Sequence, residues 1–180
     1  MAAQHGYVDM MKLLIDHGAD VNATDHSSTT PIFAAIHNDA LTLLLDHGAD
    51  INARRITGTT PLHVAVHESC KEALKLLLAG NADVNAADKE NRTALNIAAY
   101  MNYAEIVKLL LENGANDNYV CKYGMTPLHL AAVKGHAEVT KLLLDHHADI
   151  AIKDNYGNTA LHAARDNNEL ETAKLLLQKQ

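Results

Sequence analysis

Five short stretches constrain this chain more than anything else in it. Thr30-Pro31-Ile32-Phe33, Thr60-Pro61-Leu62-His63, Thr93-Ala94-Leu95-Asn96, Thr126-Pro127-Leu128-His129 and Thr159-Ala160-Leu161-His162 begin 30, 33, 33 and 33 residues apart. A second series, Ala19, Ala49, Ala82, Ala115 and Ala148, stands 11 residues ahead of each threonine. Two markers in one register across nearly all of the 180 residues define a repeat array. A unit of this size cannot bury an apolar face alone, so neighbouring units must stack on one another.

Each unit reads as helix, turn, helix, loop. The threonine is a helix N-cap, and all three prolines (Pro31, Pro61, Pro127) follow it at N1, where a missing N–H costs nothing. His63, His129 and His162 fall at N3, from which a ring nitrogen can bond back to the cap. Small residues such as Ala98 and Ala131 allow close helix contact. A turn column reads Gly6, Ser69, Asn102, Gly135, Asn168, all turn formers. The second helix carries, for example, Ile106, Val107, Leu109, Leu110 and Leu111. It ends at a column of Gly18, Gly48, Asn81, Gly114 and His147, the C′ position that favours left-handed backbone. An extended segment and a tight turn (Ser28, Gly58, Asn91, Gly124, Gly157) lead to the next threonine.

T-P-L-H-x-A, a 33-residue step and G-A-D-V-N-A together resemble the ankyrin repeat over essentially the whole chain. The resemblance implies an all-α repeat solenoid of stacked antiparallel helix pairs with projecting β-hairpin-like loops. It also implies a non-catalytic scaffold that binds another protein through loop tips and first helices on a concave face. We expect one domain with repeats at about 1–24 (incomplete), 25–54 (shortened), 55–87, 88–120, 121–153 and 154–180.

Several groups of residues invite other chemistry. Asp145, His146, His147 and Asp149 lie within five positions and could suggest a metal site. In register, however, His146 shares a column with His17, His47, Gly80 and Asn113, and His147 is a C′ residue. Adjacent residues at a helix end point about 100° apart, which suits zinc poorly. No metal or cofactor is expected. His67 and Cys70 pair a base with a nucleophile in sequence, but Cys70 sits in a turn column with Tyr7, Tyr103, His136 and Glu169, and no third orienting group is implied. No enzyme is expected. The lysine column Lys12, Lys75, Lys108, Lys141 and Lys174 is matched three residues earlier by Asp9, Glu72, Glu105, Glu138 and Glu171, which reads as a solvated, self-neutralised helix face. With a net charge of −7, nucleic-acid binding is not expected. Asn22, Asn52 and Asn85, each with Leu eight residues earlier, are similar to asparagines hydroxylated in ankyrin repeats of animal cells, and stand as candidate hydroxylation sites beside a plain loop-stabilising reading.

No apolar run reaches membrane-spanning length, and the N-terminus lacks a signal-peptide pattern. Two cysteines without a C-x-x-C pair favour a reducing compartment, so we expect cytoplasm, with the nucleus as the alternative, and a monomer.

The chain departs from the repeat pattern at two places. Ala2-Ala3-Gln4-His5-Gly6 matches Ala131-Ala132-Val133-Lys134-Gly135, so the first unit lacks its Thr-Pro cap and should expose an apolar stacking face, as in a piece of a longer protein. The unit from Thr30 is three residues short and must join its helices through His37-Asn38-Asp39. These two units are expected to be the weakest.

Positions that vary between repeats are −4, −3, −1, +7 and +8 relative to each threonine. They read His26, Ser27, Thr29, His37, Asn38, then Ile56, Thr57, Thr59, His67, Glu68, then Lys89, Glu90, Arg92, Tyr100, Met101. The last two sets are Lys122, Tyr123, Met125, Val133, Lys134 and Asn155, Tyr156, Asn158, Asp166, Asn167. Aromatic, thioether and basic residues gather late in the chain. Arg92, Tyr100, Met101, Lys122, Tyr123, Met125, Val133, Lys134 and Tyr156 are therefore the expected partner-binding residues, facing an apolar surface with acidic edges. Two other readings stand beside this one. The array could recruit an enzyme or effector domain elsewhere in a longer chain, or act as a purely structural spacer.

Overall fold

The computed structural model describes residue 2, residues 7–36 and residues 39–179. The turn residue Gly6 and the joint residues His37 and Asn38 lie outside the described residues. Eleven helices and no strand are found among the described residues. The chain divides into two compact units, Met1–Asp83 and Val84–Gln180.

The first unit holds α1 (Val8–Asp16), α2 (Pro31–Ala34), α3 (Ala40–Asp46), α4 (Pro61–His67) and α5 (Lys71–Ala79). In it α1 packs on α3, α2 on α3 and α4, and α4 on α5. The second holds α6 (Ala94–Tyr100), α7 (Ala104–Glu112), α8 (Pro127–Val133), α9 (Ala137–Asp145), α10 (Ala160–Asp166) and α11 (Leu170–Leu177). Here α6, α8 and α10 form one layer, and α7, α9 and α11 the other. Each first helix also packs on the second helix of its own repeat. The alanines suit the close layering: Ala98, Ala99, Ala131, Ala132 and Ala164 are wholly buried, as are Leu95, Leu110 and Leu143.

The caps set where each helix starts. At Thr60, Thr93 and Thr126 the cap backbone is extended and the hydroxyl accepts the N3 amide at 3.3–3.5 Å. The N3 side chain returns the bond: Thr Oγ1 lies 2.7–2.9 Å from His63 Nδ1, Asn96 Oδ1, His129 Nδ1 and His162 Nδ1. Thr30 is the exception, because its N3 residue is Phe33, which offers no acceptor. Its buried hydroxyl has no hydrogen-bond partner, and α2 runs four residues where α4, α6, α8 and α10 run seven.

Every residue of positive φ among those described belongs to one of the three expected columns, the inter-helix turn, the C′ position and the hairpin turn. His147 (φ 71°) and Asn81 (φ 64°) adopt the left-handed backbone at C′ that Gly18, Gly48 and Gly114 adopt in other repeats. Each hairpin closes on itself, with the N–H of Asp25, Arg55, Asp88, Cys121 and Asp154 donating to the carbonyl four residues on. Neighbouring hairpins inside a unit are bonded side by side: Ile56 N–H to the Ser27 carbonyl, Lys122 N–H to Glu90 and Asn155 N–H to Tyr123, at 3.0–3.2 Å.

Candidate functional site

The expected partner-binding residues all lie in the second unit, on the ends of α6 and α8 and on the tips of three hairpins. Tyr100 ends α6 and Met101 is its C-cap, and both are exposed. Val133 ends α8, half-buried, and Lys134 caps it. The structure brings two of these together across neighbouring repeats: Lys134 Nζ stands 4.7 Å from the centroid of the Tyr100 ring. His136 Nε2 donates to the Tyr100 carbonyl at 3.0 Å, so the helix end that carries the ring is itself held.

On the hairpins, Tyr123 is exposed and Lys122 Nζ lies 6.0 Å from its ring centroid. Met125 is half-buried, its carbonyl closing the hairpin on Cys121. Tyr156 stands at the matching place on the next tip and is 79% exposed, the most of any tyrosine described. The Asn155–Tyr123 backbone bond holds those two tips side by side.

Arg92 behaves differently. Its Nη2 lies 2.8 Å from Asp88 Oδ2, its Nε donates to the same oxygen at 2.9 Å, and Nη1 lies 3.1 Å from Glu90 Oε2. Burial alone would raise the Asp88 carboxyl pKa, but hydrogen bonds from Arg92 and the Glu90 amide, with the guanidinium charge, hold it below the ordinary value. Burial likewise works against the Arg92 charge, and Asp88 outweighs it. Arg92 therefore fixes the hairpin that carries it.

The candidate hydroxylation residues are rungs between repeats. Asn22 Oδ1 accepts the Asp50 amide at 2.7 Å, Asn52 the Asp83 amide at 2.8 Å and Asn85 the Asn116 amide at 2.8 Å. Asn118 makes a fourth such bond, to Asp149 at 2.8 Å. Sequence reasoning omitted it, although its column would have revealed it. Sequence reasoning also missed that the N3 side chains reach onward to the next hairpin. Asn96 Nδ2 donates to the Tyr119 carbonyl at 3.3 Å and His129 Nε2 to the Asn158 carbonyl at 3.1 Å. In the shortened repeat an Arg55 guanidinium 4.4 Å over the Phe33 ring takes over that contact.

Of the residues that invited other chemistry, Asp145, Asp149, His67 and Cys70 have structural partners. Asp145 pairs with Lys179 at 3.4 Å, and Asp149 accepts the Ala151 amide. In the His146 column, His17, His47 and Asn113 bond the carbonyl four residues earlier at 2.8 Å, finishing their helices. Among the described residues, no three His, Cys, Asp or Glu side chains gather where they could hold a metal ion. Cys70 Sγ donates to the Ile36 carbonyl at 3.1 Å, and His67 pairs with Glu68 at 3.3 Å, so neither serves the other. No helix of the described residues is long and apolar enough to cross a membrane.

The family model described as ankyrin repeats (3 copies) matches residues 1–55, 53–121 and 115–180. The chain belongs to the ankyrin-repeat family. Its fold class is the all-α repeat solenoid, and ankyrin repeats are in general protein–protein interaction modules. A search of curated proteins finds no match.

Proposed function

We propose that this ankyrin array is a non-catalytic scaffold that grips a partner protein through the second unit's first-helix ends and hairpin tips. The observation that carries the reading is the set of exposed aromatic and thioether side chains at variable positions: Tyr100, Met101, Tyr123 and Tyr156, with Met125 and Val133 half-buried beside them. Nothing in the repeat's internal bonding requires an aromatic there, since the equivalent sites of the first unit carry His26, Ser27, Thr29, Ile56 and Thr57. Tyrosine offers large contact area with few torsions to immobilise, and methionine adapts to irregular surfaces. Arg92 contributes by holding its hairpin in shape. A spacer, or a recruiting module for an enzyme elsewhere, remains the rival reading.

Binding to the isolated partner, measured by calorimetry, tests it. Tyr100→Ala and Tyr123→Ala are each expected to weaken binding by roughly 1–3 kcal/mol while leaving the helical content unchanged. A double variant that binds as tightly as the parent protein moves the site elsewhere, to His37 and Asn38 or to the lysine column.

A further inference from the structure

The variable positions of the second unit carry a charge opposite to that of the chain. Lys89, Arg92, Lys122 and Lys134 stand against Glu90 and Asp166, four cations to two anions, a balance of +2 in a protein of net charge −7. The corresponding positions of the first unit hold Glu68 and no lysine or arginine. Arg92 directs its charge to Asp88 and Glu90. Lys122 and Lys134 do not: among the described residues neither has a carboxylate partner, Lys134 Nζ lies 4.7 Å from the Tyr100 ring centroid, and Lys122 Nζ stands 6.0 Å from that of Tyr123. A lysine held on a ring face has already lost much of its rotamer freedom, yet its other N–H donors remain open to an incoming acceptor.

Resting on the reading that this face is the binding surface, we propose that its occupant is an acidic segment of a partner protein with apolar residues set between its carboxylates. One carboxylate meets Lys134 above Tyr100 and another meets Lys122 beside Tyr123. Apolar side chains of the segment cover Met101, Val133 and Met125. The rest of this acidic protein repels the acidic surfaces of other proteins, whereas the locally positive, apolar-floored face attracts a segment that supplies both carboxylates and apolar side chains. A nucleic acid supplies the charge but offers phosphates too densely spaced for so few lysines, against a chain that is itself negative.

The full chain is titrated with fluorescein-labelled synthetic peptides of equal length, built from Asp-Leu-Ser, Lys-Leu-Ser or Asp-Ser-Ser repeats, and with a single-stranded oligodeoxynucleotide, by fluorescence anisotropy. Asp-Leu-Ser is expected to bind about tenfold or more tightly than either control peptide, and to weaken as salt rises. Lys134→Glu should weaken it by about tenfold, Lys134→Arg should preserve it, and both variants should keep the parent's circular dichroism. If Lys-Leu-Ser binds as well as Asp-Leu-Ser and both lose affinity in Tyr100→Ala, the face is right and the acidic occupant is wrong. If Asp-Leu-Ser binds but ignores both Tyr100→Ala and Lys134→Glu, the face itself is wrong. Tighter binding of the oligonucleotide, or no binding by any peptide, overturns the proposal.

Discussion

Leu14 and Leu110 occupy the same column of the repeat, in the first and second units respectively. Leu110 is wholly buried, as are its counterparts Leu77 and Leu143, and Leu44 is nearly so. Leu14 is 48% exposed, and Met10 and Leu13 beside it on α1 are more exposed still. The helix that carries Leu14 is nonetheless a regular nine-residue helix of the same kind as α7. Local conformation in this fold is thus set by a residue's own repeat, and burial by the repeat's neighbours. That division is what a nearest-neighbour account of repeat proteins requires. It predicts that residues 2–48 exchange amide hydrogens faster than residues 93–145, with slower exchange in 2–48 breaking the comparison.

The largest contrast is expected on truncating the two leucines. Leu110→Ala removes a fully enclosed side chain and leaves a cavity, which should cost roughly 2–5 kcal/mol. Leu14→Ala removes a side chain that has given up only about half its contact with water, and should cost about 1 kcal/mol. Chemical denaturation, with hydrogen exchange to locate the loss, measures both. Equal costs would mean that the first repeat is packed as well as the rest.

A smaller contrast is expected at the helix caps. Thr126 accepts the His129 amide and shares a hydrogen with its ring, so Thr126→Ala should cost roughly 1–2 kcal/mol. Thr30 stands at the same place with a buried hydroxyl that has no partner. Thr30→Ala relieves that unsatisfied group and should be near neutral. A Thr30→Ala loss matching that of Thr126→Ala would show that Phe33 at N3 does not deprive the cap of its bond.

These two comparisons also mark how far the sequence could be read. Caps, helix ends and left-handed turns depend on residues three or four positions apart, and a repeating chain displays those relations five times. The His63, His129 and His162 bonds and the His147 backbone were accessible for that reason. Bonds between repeats connect residues about thirty positions apart, and neither partner looks unusual alone. In the sequence, Asn22, Asn52 and Asn85 therefore show as loop asparagines and candidate hydroxylation sites, not as rungs between repeats. Arg92 illustrates the same limit at the candidate site. As a basic residue at a variable position it resembled Lys134, and only its geometry separates a guanidinium closed on Asp88 from an ammonium resting on Tyr100. The apolar composition of the face was legible, whereas which of its charges are committed was not.

The smallest effect is expected from pH, again by contrast at a single column. His129 is buried, and burial disfavours its charged ring strongly enough to outweigh the Asn158 carbonyl and nearby Asp154, so its pKa lies below the ordinary histidine value. Its Nδ1 accepts from Thr126 while Nε2 donates to Asn158, a pattern that the neutral ring satisfies in full. In the unfolded chain this histidine takes up a proton near pH 6.5, whereas in the folded protein it does so only at lower pH. The unfolded state therefore binds more protons as pH falls below about 6.5, and the second unit loses stability through that window. Phe33 holds the same column in the shortened repeat and cannot titrate. Asn96 holds it in α6 and makes the same cap without a proton to gain. His129→Asn should accordingly keep the cap and flatten the pH dependence. Denaturation midpoints of parent and variant at pH 7 and pH 5 measure this, the parent falling further. Equal slopes would leave His129 as a cap and nothing more, and the pH sensitivity of the second unit would have to come from elsewhere.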